Sequence, residues 1–417
     1  NFIDPRDIEF TAYIFYGITI VALIAVAITT QAVKGANSWF ELGPFRLQPS
    51  EFAKIGTALA LGKYMSRPNF SLKNRSDQLM ALGIIALPAL LVVMQGDAGT
   101  AIIFGGLILM LYREGLSPMV LIILTMTLGF GIMTFIVEKY TIINIIVLFG
   151  FAAYILQGKS KNKTQHLALL IVADLLALIL LSTVTGNTQI LGLAITRSML
   201  TIVATLLLAT ALVYYMIRNR RRQWLFYPVM ILGFSIMVFS INLIFENVLQ
   251  PHQQDRITAL FDPAFDPQGI NWNSTQSKIA IGSGGFIGKG YLQGTQTKFD
   301  YVPEQHTDFI FCTIGEEWGW VGSTVLIIGF LVFLAQLLFI AEDSKSTFAR
   351  VYGYAICSMM FMHIAINIAM TIGLAPVIGI PLPFFSYGGS SLVSFSLMVF
   401  ILLRFHANRQ NVLGGLG

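Results

Sequence analysis

The run Tyr301-Val302-Pro303-Glu304-Gln305-His306-Thr307-Asp308-Phe309-Ile310 closes a polar stretch and opens an apolar one. A carboxylate at such a boundary sits at the edge of a low-dielectric region, where burial disfavours the charged form. Once ionised, Asp308 is then a stronger base, suited to taking a proton from a hydroxyl. The same position suits a commoner task, in which Thr307 or Asp308 caps the helix by accepting backbone N–H bonds. A second string, Gln48-Pro49-Ser50-Glu51-Phe52-Ala53-Lys54, puts Pro and Ser at a helix start and Glu51 and Lys54 three apart on one face. Ionisable side chains inside an apolar span are costly, and they either line a cavity or neutralise one another. Spacing leaves both readings open.

Gly282-Ser283-Gly284-Gly285-Phe286-Ile287-Gly288-Lys289-Gly290 invites comparison with a nucleotide-phosphate loop, but Ser283 stands where GxxxxGK[ST] needs Gly and Gly290 where it needs Ser or Thr. What survives is pliable backbone with Lys289, and Arg256 in the same connection, able to lie against an anionic headgroup; a tight Gly-rich turn is the commoner explanation. Gly379-Ile380-Pro381-Leu382-Pro383-Phe384-Phe385-Ser386-Tyr387-Gly388 is a rigid turn followed by small residues, more often a packing device than an anion site. Asp97, in Gln95-Gly96-Asp97-Ala98-Gly99-Thr100, is placed to cap the next helix. His363, Asp174 and Arg197 are isolated polar residues in apolar stretches and read as interhelical hydrogen-bond partners. There is no HExxH, nucleophile elbow or metal-ligand spacing, and Cys312 and Cys357 form neither a CxxC nor a framework.

The elements that must hold these residues are membrane helices. Of the 417 residues 55% are hydrophobic and 11% charged, with mean hydropathy +0.73, against about 25% charged in ordinary globular chains. That composition excludes a soluble enzyme. The net charge of +5 is too modest for a nucleic-acid footprint and is informative through its placement in loops. Apolar runs predict helices near 10–31, 49–65, 78–95, 99–112, 118–136, 140–157, 165–183, 195–217, 224–245, 308–341, 351–372 and 389–405, about twelve spans in an all-α bundle. Residues 99–112 are short enough for a half-span, and 308–341 reads as a lead-in helix to 318 with a crossing after Gly319. Basic residues cluster in alternate connections (Lys63 to Arg75, Arg113, Lys159 to Lys163, Arg218 to Arg222, Lys345 with Arg350, Arg404 with Arg409), which places both ends of the chain in the cytoplasm. The connections 32–48 (with Arg46), 246–307 and 373–388 are therefore expected outside. The connection 246–307 is far longer than a helix linker and rich in aromatics, so an ordered, functional loop is expected rather than disorder.

Taken together, Gly35-Ala36-Asn37-Ser38-Trp39 with Arg46, the Gln48–Lys54 string, Asp255-Arg256-Ile257 through Asp262-Pro263, Gln276-Ser277 through Gly285, Gly294-Thr295-Gln296, Pro303–Phe309 and the Pro381–Ser391 turn, in this order, resemble the SEDS family, the RodA, FtsW and SpoVE proteins of bacterial wall synthesis, and the RodA branch most. The resemblance implies a peptidoglycan glycosyltransferase of the cytoplasmic (inner) membrane that polymerises lipid II on the extracytoplasmic side. It would work beside a class B penicillin-binding transpeptidase and other elongation-complex proteins. It assigns Asp308 as catalytic, and implies substrate-binding roles for Glu51, Lys54, Arg46, Arg256, Lys289, Gln276, Ser277, Gln296, Glu304, His306, Ser386 and Tyr387. No cofactor is required by this reading, with Mg or Mn as an optional helper.

The resemblance covers about 1–112 and 224–410. Against the family pattern the chain reads as lacking two leading helices, has Gly96 where the family has Pro, and carries about four extra helices over roughly 118–217, a lipid-facing or partner-docking insertion within a single integral membrane domain. Two other classes compete: a flippase or transporter of lipid-linked precursors, which predicts an inverted repeat not found among the polar strings, and a non-enzymatic scaffold for a transpeptidase.

Overall fold

The structure is a computed structural model that describes residues 4–29, 38–42, 45–137, 142–143, 145–146, 188–190, 193–195, 226–247, 251–262, 265–266 and 269–408. These fall into two compact units, Asn1–Leu121 with Asp255–Gly417, and Ile122–Gln254. The elements in order are α1 (Pro5–Thr29), β1 (Phe40–Leu42), β2 (Phe45–Leu47), α2 (Pro49–Met65), α3 (Arg75–Met94), α4 (Ala98–Gly105), α5 (Leu107–Arg113), α6 (Pro118–Ile136), β3 (Thr188–Ile190), β4 (Leu193–Ile195), α7 (Phe226–Asn247), α8 (Pro251–Phe261), α9 (Ile270–Ser283), α10 (Thr295–Lys298), α11 (Ile310–Glu342), α12 (Thr347–Thr371) and α13 (Gly389–Ala407). Among the described residues six helices are long and apolar enough to cross a membrane: α1, α3, α6, α11, α12 and α13. The chain is a multi-pass, all-α membrane protein. The expected spans 140–157, 165–183 and 195–217 lie wholly or largely outside the described residues.

In the first unit α2 is the central helix, buried along nearly its whole length against α1, α12 and α13. Pro49 starts it, with its φ already helical and no N–H to orphan. Small residues then let neighbours close in. A Cβ on Gly56 would lie 2.8 Å from Thr19 Oγ1, and one on Gly62 would lie 3.1 Å from the Phe348 ring. The faces of α1 and α3 turned from this core expose Phe10, Ile14, Ile18, Val21, Leu79 and Leu90, as a bundle solvated by lipid requires. The expected half-span 99–112 resolves into α4 and α5, joined at Gly106, where a Cβ would overlap Met362 Cγ. Asp97 caps α4 as expected, accepting from Thr100 N at 3.0 Å.

The connection 246–307 was expected as a loop, yet α8, α9 and α10 lie within it. α9 packs on the first turns of α11, where Ile281 fills the space left by Gly315. α11 breaks at Gly319 (φ 63°, ψ −157°), where the sequence placed the end of a lead-in helix. The break frees main-chain groups, and the Gly-rich strip after α9 satisfies them. Lys289 N donates to Glu316 O and Gly290 N to Glu317 O, both at 3.0 Å, while Trp320 N donates to Gly285 O at 2.9 Å and Val321 N to Phe286 O at 3.1 Å. Backbone approaches backbone so closely that a Cβ on Gly288 would lie 2.2 Å from Glu317 O, and one on Gly319 would lie 2.4 Å from Gly288 N. The Gly run is thus a packing device. Gly319→Ala is expected to cost about 1–3 kcal/mol for the positive φ alone, with the clash added, and to lower Tm in detergent. Gly329→Ala in the same helix, with nothing within 4 Å of its Cβ, should leave Tm unchanged.

The second unit, described by itself, packs Phe130 of α6 with Ile231, Phe234 and Val238 of α7 and with Ile142, Ile143 and Ile146. The strands β3 and β4 pair antiparallel in the register Thr188↔Ile195.

Candidate functional site

Asp308 lies half-buried one residue before the N-cap of α11, which falls on Phe309 and has no side-chain cap. Of the two residues weighed for capping, Thr307 does not serve: its Oγ1 turns back to Glu304, donating to Oε2 at 3.0 Å. The Asp308 carboxylate faces the 373–388 turn, with Oδ2 only 3.5 Å from where a Cβ on Gly379 would stand. That glycine has φ +72°, so it serves both the turn and the close approach. Ser386 and Tyr387 stitch the same turn to the Asp308 strand. The Ser386 hydroxyl donates to Thr307 O and accepts from Leu382 N, and Tyr387 N donates to His306 O at 2.8 Å, leaving the Tyr387 ring exposed beside exposed His306.

From Asp308 a path of hydrogen bonds, joined by the Ile380–Pro381 peptide link, leads to the Glu51–Lys54 pair. Asn367 Nδ2 donates to Asp308 O at 2.8 Å and to Ile380 O at 2.7 Å. One helical turn away on α12, His363 Nδ1 lies 3.2 Å from the next carbonyl, Pro381 O, and its Nε2 lies 2.8 Å from Lys54 Nζ. An ammonium can only donate, so Nε2 accepts and the ring proton sits on Nδ1, donating to Pro381. Lys54 Nζ also donates to Glu51 Oε1 at 2.8 Å and lies 5.2 Å from the centre of the Phe395 ring, which packs edge-on against His363. Lys54 is 0% and Glu51 2% exposed, and Glu51 Oε2 has no hydrogen-bond partner among the described residues. Ser394 ties α13 in by donating to Glu51 O at 2.8 Å. The pair therefore sits behind the Pro turn rather than on an open surface. Asn367, four residues after His363 on the same helix face, was not singled out by sequence; that i, i+4 polar spacing in an apolar helix was the available signal.

The remaining expected site residues divide. Lys289 does not point its charge outward: Nζ donates to Glu316 Oε1 at 2.7 Å. Glu316, fully buried, also accepts from Gln296 N and Thr297 N, both at 2.9 Å, so it is a socket that pins α10 and the Gly strip to α11. Sequence reasoning missed it. Ser277 is fully buried and donates to Thr371 O at 2.9 Å, clamping α9 to the end of α12 instead of facing a cavity. Gln276 and Gln296 are half-buried, and Arg46 is exposed on β2, opposite Glu41 in the hairpin register. Arg256 is half-buried on α8 and lines a cleft with α9. Among the described residues no three His, Cys, Asp or Glu side chains are grouped so as to hold a metal ion. Emptying the Glu316 socket should loosen α10 selectively. Glu316→Ala strands two backbone donors and the Lys289 ammonium, and hydrogen exchange over 285–300 is expected to rise at least tenfold while that of α2 stays unchanged.

A polytopic helical bundle with a carboxylate at the head of a broken helix, braced through a Pro turn against a buried Glu–Lys pair, defines a membrane protein with one composite polar site. The profile of the FtsW/RodA/SpoVE family, described as cell cycle protein, matches residues 1–149 and 141–411, and the chain belongs to that family. Relatives include the peptidoglycan glycosyltransferase MrdB of Escherichia coli K12, 30% identical over 98% of this chain and 81% of the relative, and the peptidoglycan glycosyltransferase RodA of Treponema pallidum, 30% identical over 96% and 83%. In fold the chain is similar to a chain of a peptidoglycan synthase complex solved to show how polymerization and crosslinking are coordinated (TM-score 0.58, 22% identity, 98% of this chain and 84% of that one). It is also similar to the rod shape determining protein RodA of Thermus thermophilus (TM-score 0.52, 19% identity, 98% and 81%).

Proposed function

We propose that this chain is a peptidoglycan glycosyltransferase that polymerises lipid II into glycan strands on the extracytoplasmic face of the bacterial cytoplasmic membrane, with Asp308 as general base. The observation that carries it is that Asp308 stands half-buried at the head of α11, its carboxylate against Gly379 and its main chain held to the same turn that the buried Glu51–Lys54 pair braces. The names of the relatives support the activity. The donor's α-linked pyrophosphate and a β-linked product require inversion, so one in-line displacement suffices. Asp308 takes the proton from the acceptor sugar's 4-hydroxyl, that oxygen bonds to the donor's anomeric carbon, and the bond to undecaprenyl pyrophosphate breaks with its electron pair leaving on the pyrophosphate.

In this reading Arg256 and Arg46 are the candidates for the leaving group's charge. Lys289 organises the Gly strip, and Lys54 holds the Pro turn through His363. Glu304, His306 and Tyr387 border the acceptor side. A divalent cation such as Mg or Mn would lend further charge to the pyrophosphate; no step above depends on it. The partner is a class B penicillin-binding transpeptidase of the elongation complex, a reading that the similarity in fold to a chain of a synthase complex supports. The test is glycan formation from purified lipid II by the detergent-solubilised protein with its transpeptidase. Polymer is expected, and no polymer from an intact complex would favour a flippase or scaffold.

A further inference from the structure

We infer that the cleft between α8, α9 and the 373–377 segment is a phosphate site, built by Arg256 and Lys278, that receives the pyrophosphate of the lipid-linked donor. The cleft is a shallow, solvent-open notch with about 30 Å³ of cavity volume, and is lined by Arg256, Lys278, Asn271, Ser274, Thr275 and the 373–377 wall. Both charged side chains in that lining are cations, and neither makes an ion pair among the described residues. Asn271, Ser274, Thr275 and Lys278 follow the i, i+3, i+4, i+7 spacing, so one face of α9 is polar and turned into the cleft, while Arg256, Ala259 and Leu260 repeat that spacing on α8. The Asn271 amide is spent on Asp262 O and Phe265 O, which fixes the corner, whereas the Ser274 and Thr275 hydroxyls have no protein partner among the described residues and remain to donate to an anion.

The exposed Lys278 side chain has room to lie along the wall because residue 373 lacks a side chain. Its stem crosses Gly373 (φ +77°), where a Cβ would meet Cδ at 3.1 Å and Nζ at 3.4 Å. The cleft also adjoins the proposed base. Val377 ends its wall, and Gly379, two residues on, faces the Asp308 carboxylate, a separation of at most about 7 Å along the chain. A phosphate group in the cleft would thus lie against the same 373–388 segment that the base faces, the arrangement an in-line displacement calls for. Lys289, the basic residue expected for this task, is neutralised by Glu316, and Lys278 takes its place.

The site rests on the proposed function for its ligand, and the test separates the two. Acetylation of Lys278 by an amine-reactive ester is followed by mass spectrometry in the Asp308→Ala complex and in the wild type, with inorganic pyrophosphate, lipid II or phosphatidylglycerol vesicles added. Pyrophosphate and lipid II are each expected to slow labelling at least fivefold in both proteins. Arg256→Gln should abolish that protection, and Lys278→Gln should raise the KM for lipid II about tenfold with a smaller change in kcat; Lys278→Arg should retain most of the affinity. Unchanged labelling with pyrophosphate and lipid II, or protection by phosphatidylglycerol alone, would overturn the assignment. Polymer made by Asp308→Ala would overturn the base while leaving this site standing.

Discussion

Asp308→Asn is expected to lower the rate of glycan formation from lipid II by about 10²–10⁴-fold, the usual contribution of a positioned general base, with Tm and binding to the transpeptidase unchanged. The substitution keeps shape and volume, and the bond from Asn367 Nδ2 to Asp308 O uses the main chain and survives any side-chain change. What the substitution removes is the carboxylate's ability to take a proton. Asp308→Glu restores the base but moves it by about one methylene. A displacement near 1 Å costs on the order of 10²-fold, so this variant should recover some activity over Asn while remaining far below wild type. A structural role would predict the opposite order, since Glu disturbs the close approach to Gly379 more than Asn does. Near-wild-type polymer from folded Asp308→Asn protein would refute the mechanism.

How much of this could be read beforehand follows from the physics of each feature. The α2 and α6 boundaries coincide with the sequence expectation because Pro49 and Pro118 fix the starts. The break at Gly319 was signalled by an apolar run too long for one crossing. The helices of the 246–307 connection were not expected, because apolar periodicity is the signal that marks a helix in sequence, and α8 and α9 carry polar faces that match in spacing but not in hydrophobicity. The Glu316 socket was invisible for a related reason: it joins an acid on α11 to amides twenty residues upstream, and no local pattern encodes a contact at that separation. His363 was read as an isolated interhelical partner, which it is, yet its partners Lys54 and Pro381 give that bland role a mechanical consequence. Ser277 and Lys289 illustrate the reverse. Residue type and resemblance placed them at substrate, and packing consumes both.

Lys54→Met carries the largest expected effect on stability. It leaves the Glu51 carboxylate in the core with neither oxygen paired, since Lys54 is the partner of Oε1 and Oε2 already lacks one. Removing one member of a buried pair costs about 3–5 kcal/mol, so a large fall in Tm and little active complex are expected. That loss alone does not distinguish folding from chemistry. The double variant Glu51→Gln with Lys54→Met does. Replacing both charges by neutral groups of similar volume is often near neutral for stability, so Tm should return most of the way to wild type. Polymerisation should not return with it. His363 Nε2 loses the donor that fixes its tautomer and orientation, and with them the hydrogen bond that holds Pro381 and, through adjacent Ile380 and Asn367, the Asp308 backbone. At least a tenfold deficit in kcat is expected from a stable double variant, with the KM for lipid II little changed because Lys54 is buried away from any open surface. A stable double variant with full activity would show that the pair serves folding alone, and that Asp308 is positioned without it.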